Sequence, residues 1–493
     1  MSTATDTIVA PATPFGYGGI AVIRLSGPSS KNIARAITFL SDGKKLPLKP
    51  RQSIHVLIAE KSGKTFDEGL ITFFKSPNSY TGEDSFEISC HGNPTIVHKI
   101  IGRCCEEGAR IAEPGEFTLR SFINGKIDLL QAESVSSLIY SKSSESAALN
   151  HRILRGKLSD QIRKIKEKLV GLLTQVEFEL DFSEEDLQPK LRKGVLSKII
   201  RIQNTTKSLL NTRKEGRLLV DGALVVIAGK PNVGKSTLLN TLTKTDRAIT
   251  SPKPGTTRDS IEVPLLLGGV PVRFFDTAGI RRGAADAERE GIRRTKKLTQ
   301  KADIVLSLYE YNKNSTYKQK SAYTQPSIHI INKTDLIKSN ELRKLKLRLP
   351  GFMFVSAKKR TGISDLKNTI KKTLGVSPSL SSATSLTTTR QQLALEGVFG
   401  SLAAGNKLLQ NKTKLAKMAP NLCEFCYPQS YEYASQASLA EHKRRLHPQE
   451  RARNRFGDPV VSSSSTTSKF RRRTHERTQI HPKRYWESGR NSF

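Results

Sequence analysis

Apolar and polar positions alternate along the chain in two rhythms, and the rhythm changes near residue 120. Before that point, GGIAVIRLSG alternates as a strand does, and SSKNIARAITFL has helical spacing opened by serines. The segment EGLITFFKSPNSYTGEDSFEISCHG places two further short strands around a polar loop. The pattern therefore predicts a mixed α/β domain over residues 1–120.

The following stretches predict a helical domain interrupted by a second α/β domain. Apolar residues recur every three or four positions over 121–219, as in IRKIKEKLVGLLTQVEFELDF, which favours helices. Over 220–378, the short apolar runs LVVIAG, VRFFDTAG, ADIVLSLYE, SIHIINKTD and FMFVSAK are each followed by polar or helical sequence, which is typical of a parallel sheet. A Ser/Thr-rich linker then leads into RQQLALEGVFGSLAAGNKLLQ, so helical sequence resumes over 379–417.

The composition of the chain indicates a polyanionic partner. Lys and Arg number 81 against 45 Asp and Glu, which gives a net charge of +36. Such a surplus favours nucleic acid first and an anionic membrane surface second, with a solvated basic surface as the plain alternative. Hydrophobic residues make up 36% of the chain, enough for sizeable cores. The apolar runs fall short of the ~18 residues that a membrane span needs, so we expect a soluble protein.

The first residues and the cysteines indicate a reducing compartment. MSTATDTIVAPATPFGYGG has neither a basic segment nor an apolar core, so we expect no secretory signal or transit peptide. This favours the cytoplasm of a bacterium, with an organelle as the alternative. Five cysteines in 493 residues do not make a disulfide scaffold, and Cys90, Cys104 and Cys105 are expected to be reduced thiols.

Residues 418–493 form a polar, basic tail that contains a candidate zinc site. Two thiols and two imidazoles at this spacing can form a closed tetrahedral Zn²⁺ shell, and the predicted ligands are Cys423, Cys426, His442 and His447. The alternative is an accidental cysteine pair and two histidines in a polar tail. The stretch 451–493 carries 11 Lys/Arg against 3 Asp/Glu, which favours a disordered segment that contacts RNA phosphates. A frameshift or a fused reading frame would also explain the sequence beyond residue 418.

The segment GKPNVGKS, residues 229–236, fits the phosphate-binding loop pattern, and it lies between the strand LVVIA and the helix TLLNTL. Glycines allow backbone N–H groups to wrap the phosphates, Lys235 supplies a charge to the β- and γ-phosphates, and the Ser236 hydroxyl binds Mg²⁺. The predicted nucleotide-binding residues of this loop are Asn232, Val233, Gly234, Lys235, Ser236 and Thr237.

Three further motifs follow in the order expected for a GTP site. DTAG places a carboxylate near Mg²⁺, NKTD offers an aspartate to the two N–H donors of a guanine edge, and SAK offers a backbone donor to the guanine carbonyl. Thr257 can complete the Mg²⁺ shell while the γ-phosphate is present, which makes a switch. Together these segments predict GTP binding by Thr256, Thr257, Asp276, Thr277, Ala278, Gly279, Asn332, Lys333, Asp335, Ser356, Ala357 and Lys358.

The residue after DTAG is Ile280, where a Ras-like enzyme has a glutamine that orients the attacking water. An isoleucine cannot do this. Either hydrolysis is very slow, or another group positions the water.

With these motifs and with DTIVAPATPFGYGGIAVIRLSG, PNSYTGEDSFE, EPGEFTLRSFINGKIDLLQAESV and EFELDFSEED, the chain resembles the tRNA modification GTPase family MnmE, also called TrmE. The resemblance runs from Asp6 to about residue 415. It implies a folate-binding N-terminal α/β domain that dimerises, and a helical domain with an inserted GTPase domain. It also implies a heterotetramer with the FAD-dependent protein MnmG, which installs a (carboxymethyl)aminomethyl group at C5 of the tRNA wobble uridine using a tetrahydrofolate one-carbon unit.

The resemblance also assigns roles to individual residues. Glu288 is implied to position the attacking water through a second water, and a K⁺ ion near the phosphates is implied to replace an arginine finger. The implied K⁺ ligands are Asn232, Ser251, Lys253 and Thr256, and the implied Mg²⁺ ligands are Ser236 and Thr257. The implied folate contacts are Arg24, Glu83 and Lys126, whose plain alternatives are a surface Arg, a loop Glu and a solvated Lys.

The C-terminal part departs from the family, which normally closes with a helix ending in Phe-Cys-x-Gly-Lys. Residues 418–493 contain no such motif. A second hypothesis is therefore a GTP-switched RNA-binding factor that lacks the one-carbon chemistry. A third is a zinc module that directs the chain to DNA or to a protein partner.

Overall fold

The computed structural model describes residues 6–44, 46–182, 189–244, 262–276, 298–311, 323–375 and 384–410. They fall into two compact units. The first lies within Met1–Ile165, Thr212–Asp221 and Ser377–Thr387, and the second lies within Lys166–Asn211, Gly222–Val376 and Thr388–Phe493. The division into five domains predicted from the sequence stays a prediction.

A seven-stranded sheet forms the centre of the first unit. Its strands are β1 (Ile8–Pro11), β2 (Gly18–Ser26), β3 (Thr38–Phe39), β4 (Ser53–Ala59), β5 (Thr65–Phe74), β6 (Ser85–Gly92) and β7 (Arg110–Ile111). Their order in the sheet is β3-β4-β5-β6-β2-β1-β7, and every neighbouring pair is antiparallel except β1 with β7. The mixed α/β domain predicted for the N-terminal region is thereby confirmed.

Two helices, α1 (Ser30–Ile37) and α2 (Pro94–Glu106), contribute to the core of this sheet. Along β2, Ile23 and Leu25 are fully buried while Ile20 is exposed, which is the alternation expected when one face of a strand packs inward. The α2 helix begins cleanly because the Asn93 side chain accepts a hydrogen bond from the Thr95 amide at 2.9 Å. The opposite face of β2 and β6 carries the paired side chains of Arg24 and Glu87.

Further helices of the first unit follow the sheet. They are α3 (Glu116–Ile123), α4 (Leu129–Ile139), α5 (Ser144–Leu154), the start of α6 (Lys157–Phe182) and, later in the chain, α8 (Arg213–Val220). Asp128 and Gln131 form a reciprocal capping box that starts α4. The Gln131 side chain also donates to the Leu154 carbonyl at 2.8 Å, which ties α4 to the end of α5.

The second unit contains a six-stranded sheet. Its strands are β8 (Ala223–Gly229), β9 (Glu262–Leu267), β10 (Val270–Asp276), β11 (Ile304–Glu310), β12 (Ser327–Asn332) and β13 (Phe352–Phe354). The order is β13-β12-β11-β8-β10-β9, and only the edge pair β9–β10 is antiparallel. The predicted parallel sheet is confirmed. The sequence analysis missed β9, which joins β10 through the two-residue turn Gly268-Gly269, where both φ angles are positive.

The helices of the second unit fall into two groups. Those of the α/β part are α9 (Lys235–Lys244), α10 (Ser339–Arg348) and α11 (Ile363–Leu374). The rest of α6, α7 (Pro189–Asn211) and α12 (Thr389–Gln410) form the helical part, where Asn406 on α12 donates to the Gln203 side chain on α7 at 3.3 Å. The helical sequence predicted on both sides of the α/β segment is confirmed.

Within the described ranges, the helices include none that combines the length and apolarity of a membrane span. The predicted zinc ligands Cys423, Cys426, His442 and His447 lie outside the described residues and stay a prediction.

Candidate functional site

The phosphate-binding loop joins the end of β8 to the start of α9 in the second unit. Gly234 has φ +91, and a Cβ there would overlap the Nδ2 atom of Asn332. A glycine is required at this position for both reasons, since side chains are strained at such a φ and the space is already filled. Asn232 also takes a left-handed conformation, with φ +62, and its side chain is exposed.

Lys235 is held inside this loop by its backbone. The residue is only 6% exposed, and its ammonium donates to the carbonyls of Gly229 at 3.1 Å and Lys230 at 2.8 Å. Ser236, the predicted Mg²⁺ ligand, and Thr237, a predicted nucleotide contact, follow in the first turn of α9 and are exposed. The arrangement offers a fixed positive charge and a helix N-terminus to an anion.

Asn332, at the end of β12, links two loops of the site. Its side chain is 1% exposed, donates to the Val233 carbonyl at 2.9 Å and accepts from the Ala357 amide at 3.1 Å. Both ends of the amide are therefore used to join the phosphate loop to the SAK segment. Asn332 thereby fixes the distance between the phosphate-binding loop and the SAK segment.

Asp335 presents the carboxylate predicted to accept from guanine. Ser356, which is fully buried, donates its hydroxyl to Asp335 Oδ1 at 2.5 Å and accepts from the Lys359 amide at 3.1 Å. The Ser356 hydrogen bond is the main reason that the pKa of Asp335 lies below its ordinary value, and the charges of Lys359 and Lys358 act in the same direction. Ser356 thus holds the Asp335 carboxylate in place and favours its ionised form.

Lys333 has a partner that the sequence analysis missed. The residue takes a left-handed φ of +62, and its ammonium contacts Glu310 Oε1 at 2.9 Å. Glu310 is the last residue of β11 and lies opposite Asn332 in the β11–β12 register. In the sequence, Glu310 ends the apolar run ADIVLSLYE. A charged residue at the carboxyl end of a predicted parallel strand is the signal that would have indicated it.

The site lies where the strand order reverses. β8 sits between β11 and β10, so the chain leaves the carboxyl end of this strand in the crevice where open parallel sheets bind ligands. Asp276 ends β10 opposite Ile227 of β8, next to the phosphate loop. The predicted residues outside the described part of the chain are Ser251, Lys253, Thr256, Thr257, Thr277, Ala278, Gly279 and Glu288.

Replacing Gly234 with alanine should weaken nucleotide binding by about tenfold or more. The new side chain strains the backbone by about 1–3 kcal/mol, and the loop or Asn332 must move to relieve that strain. Titration with a fluorescent GDP analogue measures this. Gly400→Ala on α12 is the matched control, since a Cβ there meets nothing within 4 Å. Equal affinity for Gly234→Ala and wild type would contradict the geometry.

A second polar site lies in the first unit, around the loop that connects β5 to β6. Arg24 on β2 pairs with Glu87 on β6, with 2.7 Å between Nη2 and Oε1. Its guanidinium also lies 5.0 Å from the centre of the Tyr80 ring and 5.7 Å from that of Phe117. Arg24 is thus a half-buried cation flanked by two aromatic rings.

Glu83, in the same loop, is held from two sides. Ser26 on β2 donates to its Oε2 at 2.7 Å, and Arg120 on α3 contacts both of its oxygens at 3.2 and 3.3 Å. Lys126 lies close to this loop: a Cβ built on Gly82 would be 3.2 Å from the Lys126 side chain. The structure thus brings the three predicted folate residues to one loop, with Lys126 exposed at its edge.

An ion-pair cluster that was not predicted from the sequence contacts this loop through Arg120. Arg120 contacts Asp6 at 2.6 Å and Glu116 at 3.0 Å, and Arg110 contacts the same two carboxylates at 2.8 and 2.7 Å. Arg110 is the main cause that lowers the pKa of Asp6. Burial acts to raise the pKa of Glu116, but hydrogen bonds from Arg110, the Glu113 amide and Arg120 lower it overall.

The lowered pKa values predict that the first unit loses stability in acid. A carboxyl whose pKa falls on folding stabilises the fold fully above its ordinary pKa of about 4 and loses that contribution as the pH falls through the lowered value. Thermal unfolding of the full chain from pH 6 to pH 3 should therefore show a falling midpoint. Asp6→Asn with Glu116→Gln should flatten this limb, and an unchanged slope would contradict the assignment.

The chain matches known families over most of its length. A family model described as GTP-binding protein TrmE N-terminus matches residues 7–126, and one described as MnmE helical domain matches residues 129–425. The second match reaches about ten residues beyond the end of the resemblance found in the sequence analysis. Residues 426–493 lie outside both matches.

Relatives of this chain include bacterial proteins named tRNA modification GTPase MnmE. The protein from Flavobacterium psychrophilum is 40% identical over 395 residues, which cover 78% of this chain and 86% of that protein. The protein from Pseudothermotoga lettingae is 40% identical over 378 residues, covering 75% and 82%. Among solved structures, Era from Aquifex aeolicus is 25% identical and covers 36% of this chain and 66% of that one, with a TM-score of 0.24. The family models and the relatives show that the chain belongs to the MnmE (TrmE) family of tRNA modification GTPases.

Proposed function

We propose that this chain is a K⁺-stimulated GTPase that forms a homodimer and acts with an FAD-dependent MnmG-type partner on tRNA. Together they would install a (carboxymethyl)aminomethyl group at C5 of the wobble uridine. The single observation that carries the proposal is that one chain combines two polar clusters, each suited to one of the two ligands. Asn332 and Asp335 belong to the cluster suited to a guanine nucleotide, and Arg24 and Glu83 belong to the N-terminal cluster suited to a folate.

The N-terminal site fits a reduced folate. The pterin ring presents an amino group beside a ring N–H, which is the donor pair that guanine offers to Asp335, and a carboxylate such as Glu83 can accept a hydrogen bond from such a donor. Tyr80 and Phe117 beside Arg24 supply aromatic faces against which a flat ring can stack. When bound, the folate would supply the one-carbon unit, while Glu83, Arg24 and Lys126 bind and orient it.

The nucleotide site fits Mg²⁺ and K⁺. Ser236 lies exposed at the start of α9, where its hydroxyl can join an Mg²⁺ shell with Thr257. Asn232 lies in the phosphate loop with a positive φ, and its side chain is exposed, so its carboxamide oxygen is accessible to a K⁺ ion. Ser251, Lys253 and Thr256 would complete that shell, and Glu288 would position the attacking water in place of the glutamine that Ile280 replaces. When bound, K⁺ would neutralise charge between the phosphates.

Hydrolysis of GTP by the purified chain tests the K⁺ part of the proposal. We expect kcat to be about tenfold or more higher in KCl than in NaCl, because a correctly placed charge contributes roughly that much or more to the transition state. Asn232→Ala should remove most of this difference. Asn240→Ala, an exposed asparagine on α9, should leave it unchanged. Equal rates in the two salts would overturn the K⁺ assignment.

The alternative, a GTP-switched RNA-binding factor without one-carbon chemistry, is favoured by the missing Phe-Cys-x-Gly-Lys motif. It shares GTP hydrolysis and RNA contact with the main proposal. It differs in predicting no binding of a reduced folate and no modified uridine.

A further inference from the structure

Arg120 occupies an unusual place in the first unit. Its side chain is only 5% exposed, although arginine is rarely buried to this extent without charged partners. It reaches four groups from three separate segments of chain. Nη1 donates to the Asp6 carbonyl at 2.8 Å and to both oxygens of Glu83, and Nη2 donates to Asp6 Oδ1 at 2.6 Å and to Glu116 Oε1 at 3.0 Å. The guanidinium therefore contacts the Glu83 carboxylate directly.

Glu83 is restrained by two donors and still has room for a ligand. The Ser26 hydroxyl donates to Oε2, and Ser26 is itself fully buried and within 2.7 Å of the Thr81 hydroxyl. A carboxylate has about four acceptor positions. Ser26 and Arg120 fill two on Oε2, and Arg120 fills one on Oε1, so Oε1 keeps a position for a further donor. The side chain remains 13% exposed, so that position can face a bound molecule.

Within the ion-pair cluster, Arg120 is the cation that contacts Glu83. Asp6, Glu83 and Glu116 bring three negative charges together, and Arg110 and Arg120 bring two positive ones. The described contacts of the Arg110 side chain are with Asp6, Glu116 and the Ile111 carbonyl. Arg120 is therefore the guanidinium that meets Glu83 itself. Without it, the Ser26 hydroxyl would remain as a described donor to the Glu83 carboxylate, and it contacts one of the two oxygens.

We infer that Arg120 is a positioning residue, which orients the Glu83 carboxylate so that it accepts a hydrogen bond from the pterin edge of a reduced folate. The inference rests on the folate site of the proposed function and adds a residue that touches no ligand itself. A purely structural ion pair is the competing explanation, and it predicts that Arg120 and Glu83 affect folate binding independently of each other.

A double-mutant cycle separates these explanations. The probe is 5-formyltetrahydrofolate, a stable reduced folate, and its binding to the full chain is measured by calorimetry. We expect Arg120→Gln to weaken binding by about tenfold or more, since a hydrogen bond to a charged group contributes roughly that factor. In a Glu83→Gln background, Arg120→Gln should cause no further loss. Arg120→Lys should recover part of the affinity, because an ammonium can still pair with Glu83.

Arg110→Gln is the matched control, because it removes an arginine from the same cluster without removing a contact to Glu83. We expect it to change folate affinity by less than about threefold, the size of a weak surface ion pair. Thermal unfolding reports whether each variant is folded. Should Arg120→Gln fail to fold, Ser26→Ala decides instead: losing the hydroxyl that donates to Glu83 should weaken binding by about three- to tenfold.

The failures of the inference and of the proposed function are distinct. If the wild-type chain does not bind the folate, the proposed folate site fails, and the inference fails with it. If the wild type binds but Arg120→Gln behaves like Arg110→Gln, or if the losses from Arg120→Gln and Glu83→Gln add independently, the inference alone is overturned. For the Ser26→Ala route, unchanged affinity has the same meaning.

Discussion

Replacing Lys235 with alanine is expected to lower kcat/KM for GTP by at least about 100-fold, the effect of removing one preorganised charge donor from a transition state. Lys235 is almost completely buried in the phosphate loop, where two backbone carbonyls fix its ammonium. Because the ammonium is already desolvated and held, it needs little reorganisation when charge develops on the phosphates. Steady-state release of phosphate at several GTP concentrations gives the number.

Lys230→Ala is the control for this substitution. It removes one lysine from the same loop, but its side chain is exposed, and only its carbonyl contacts Lys235. We expect its kcat/KM to stay within about threefold of wild type, since exposed charges contribute little. Activity of Lys235→Ala within threefold of wild type would contradict the role given to the phosphate loop.

Replacing Asp335 with asparagine is expected to exchange the base preference of the enzyme from guanine to xanthine. Ser356 holds Asp335 and lowers its pKa, so we expect the wild-type carboxylate to accept the amino and ring N–H donors of guanine. Asparagine can still accept the Ser356 hydroxyl through its oxygen, but its amide nitrogen then meets the guanine amino group as a second donor. Xanthine carries a carbonyl there and accepts from the amide.

The expected loss in kcat/KM for GTP is on the order of 10² or more, because a site built to bind a donor pair rejects a mismatch strongly. Turnover of XTP should rise above that of wild type. Parallel assays with GTP and XTP measure both effects, and Asp365→Asn, an exposed aspartate on α11, should change neither. A variant that keeps GTP turnover and gains none with XTP would show that Asp335 does not select the base.

The GTP site was predictable because its motifs are local. Each of the segments GKPNVGKS, NKTD and SAK follows a short apolar run, and runs of that kind pack as parallel strands whose carboxyl ends meet at one edge. The edge strand β9 was missed, although the Gly268-Gly269 pair after EVPLLL is a recognisable two-residue hairpin signal. The two hydrogen bonds by which Asn332 joins the phosphate-binding loop to the SAK segment were not predictable either, since its partners belong to two other loops.

The N-terminal site was predictable only through resemblance. Arg24, Glu83 and Lys126 are ordinary polar residues in sequence, and what joins them is the loop that carries Tyr80 and Gly82. The Arg120 cluster was missed because its partners are remote: Glu83 is 37 residues away and Asp6 is 114 residues away. Pairings at such separations depend on the sheet register, which composition and periodicity do not specify.

Nucleoside mass spectrometry of tRNA tests the central claim most directly. The tRNA would come from cells that lack their own member of the family and express this chain, with Lys235→Ala as the inactive control. We predict that wobble uridines carrying the aminomethyl-type group return with the wild-type chain and stay absent with the variant. Their absence with the wild-type chain, while the purified protein hydrolyses GTP, would contradict the modification function and favour the RNA-binding switch.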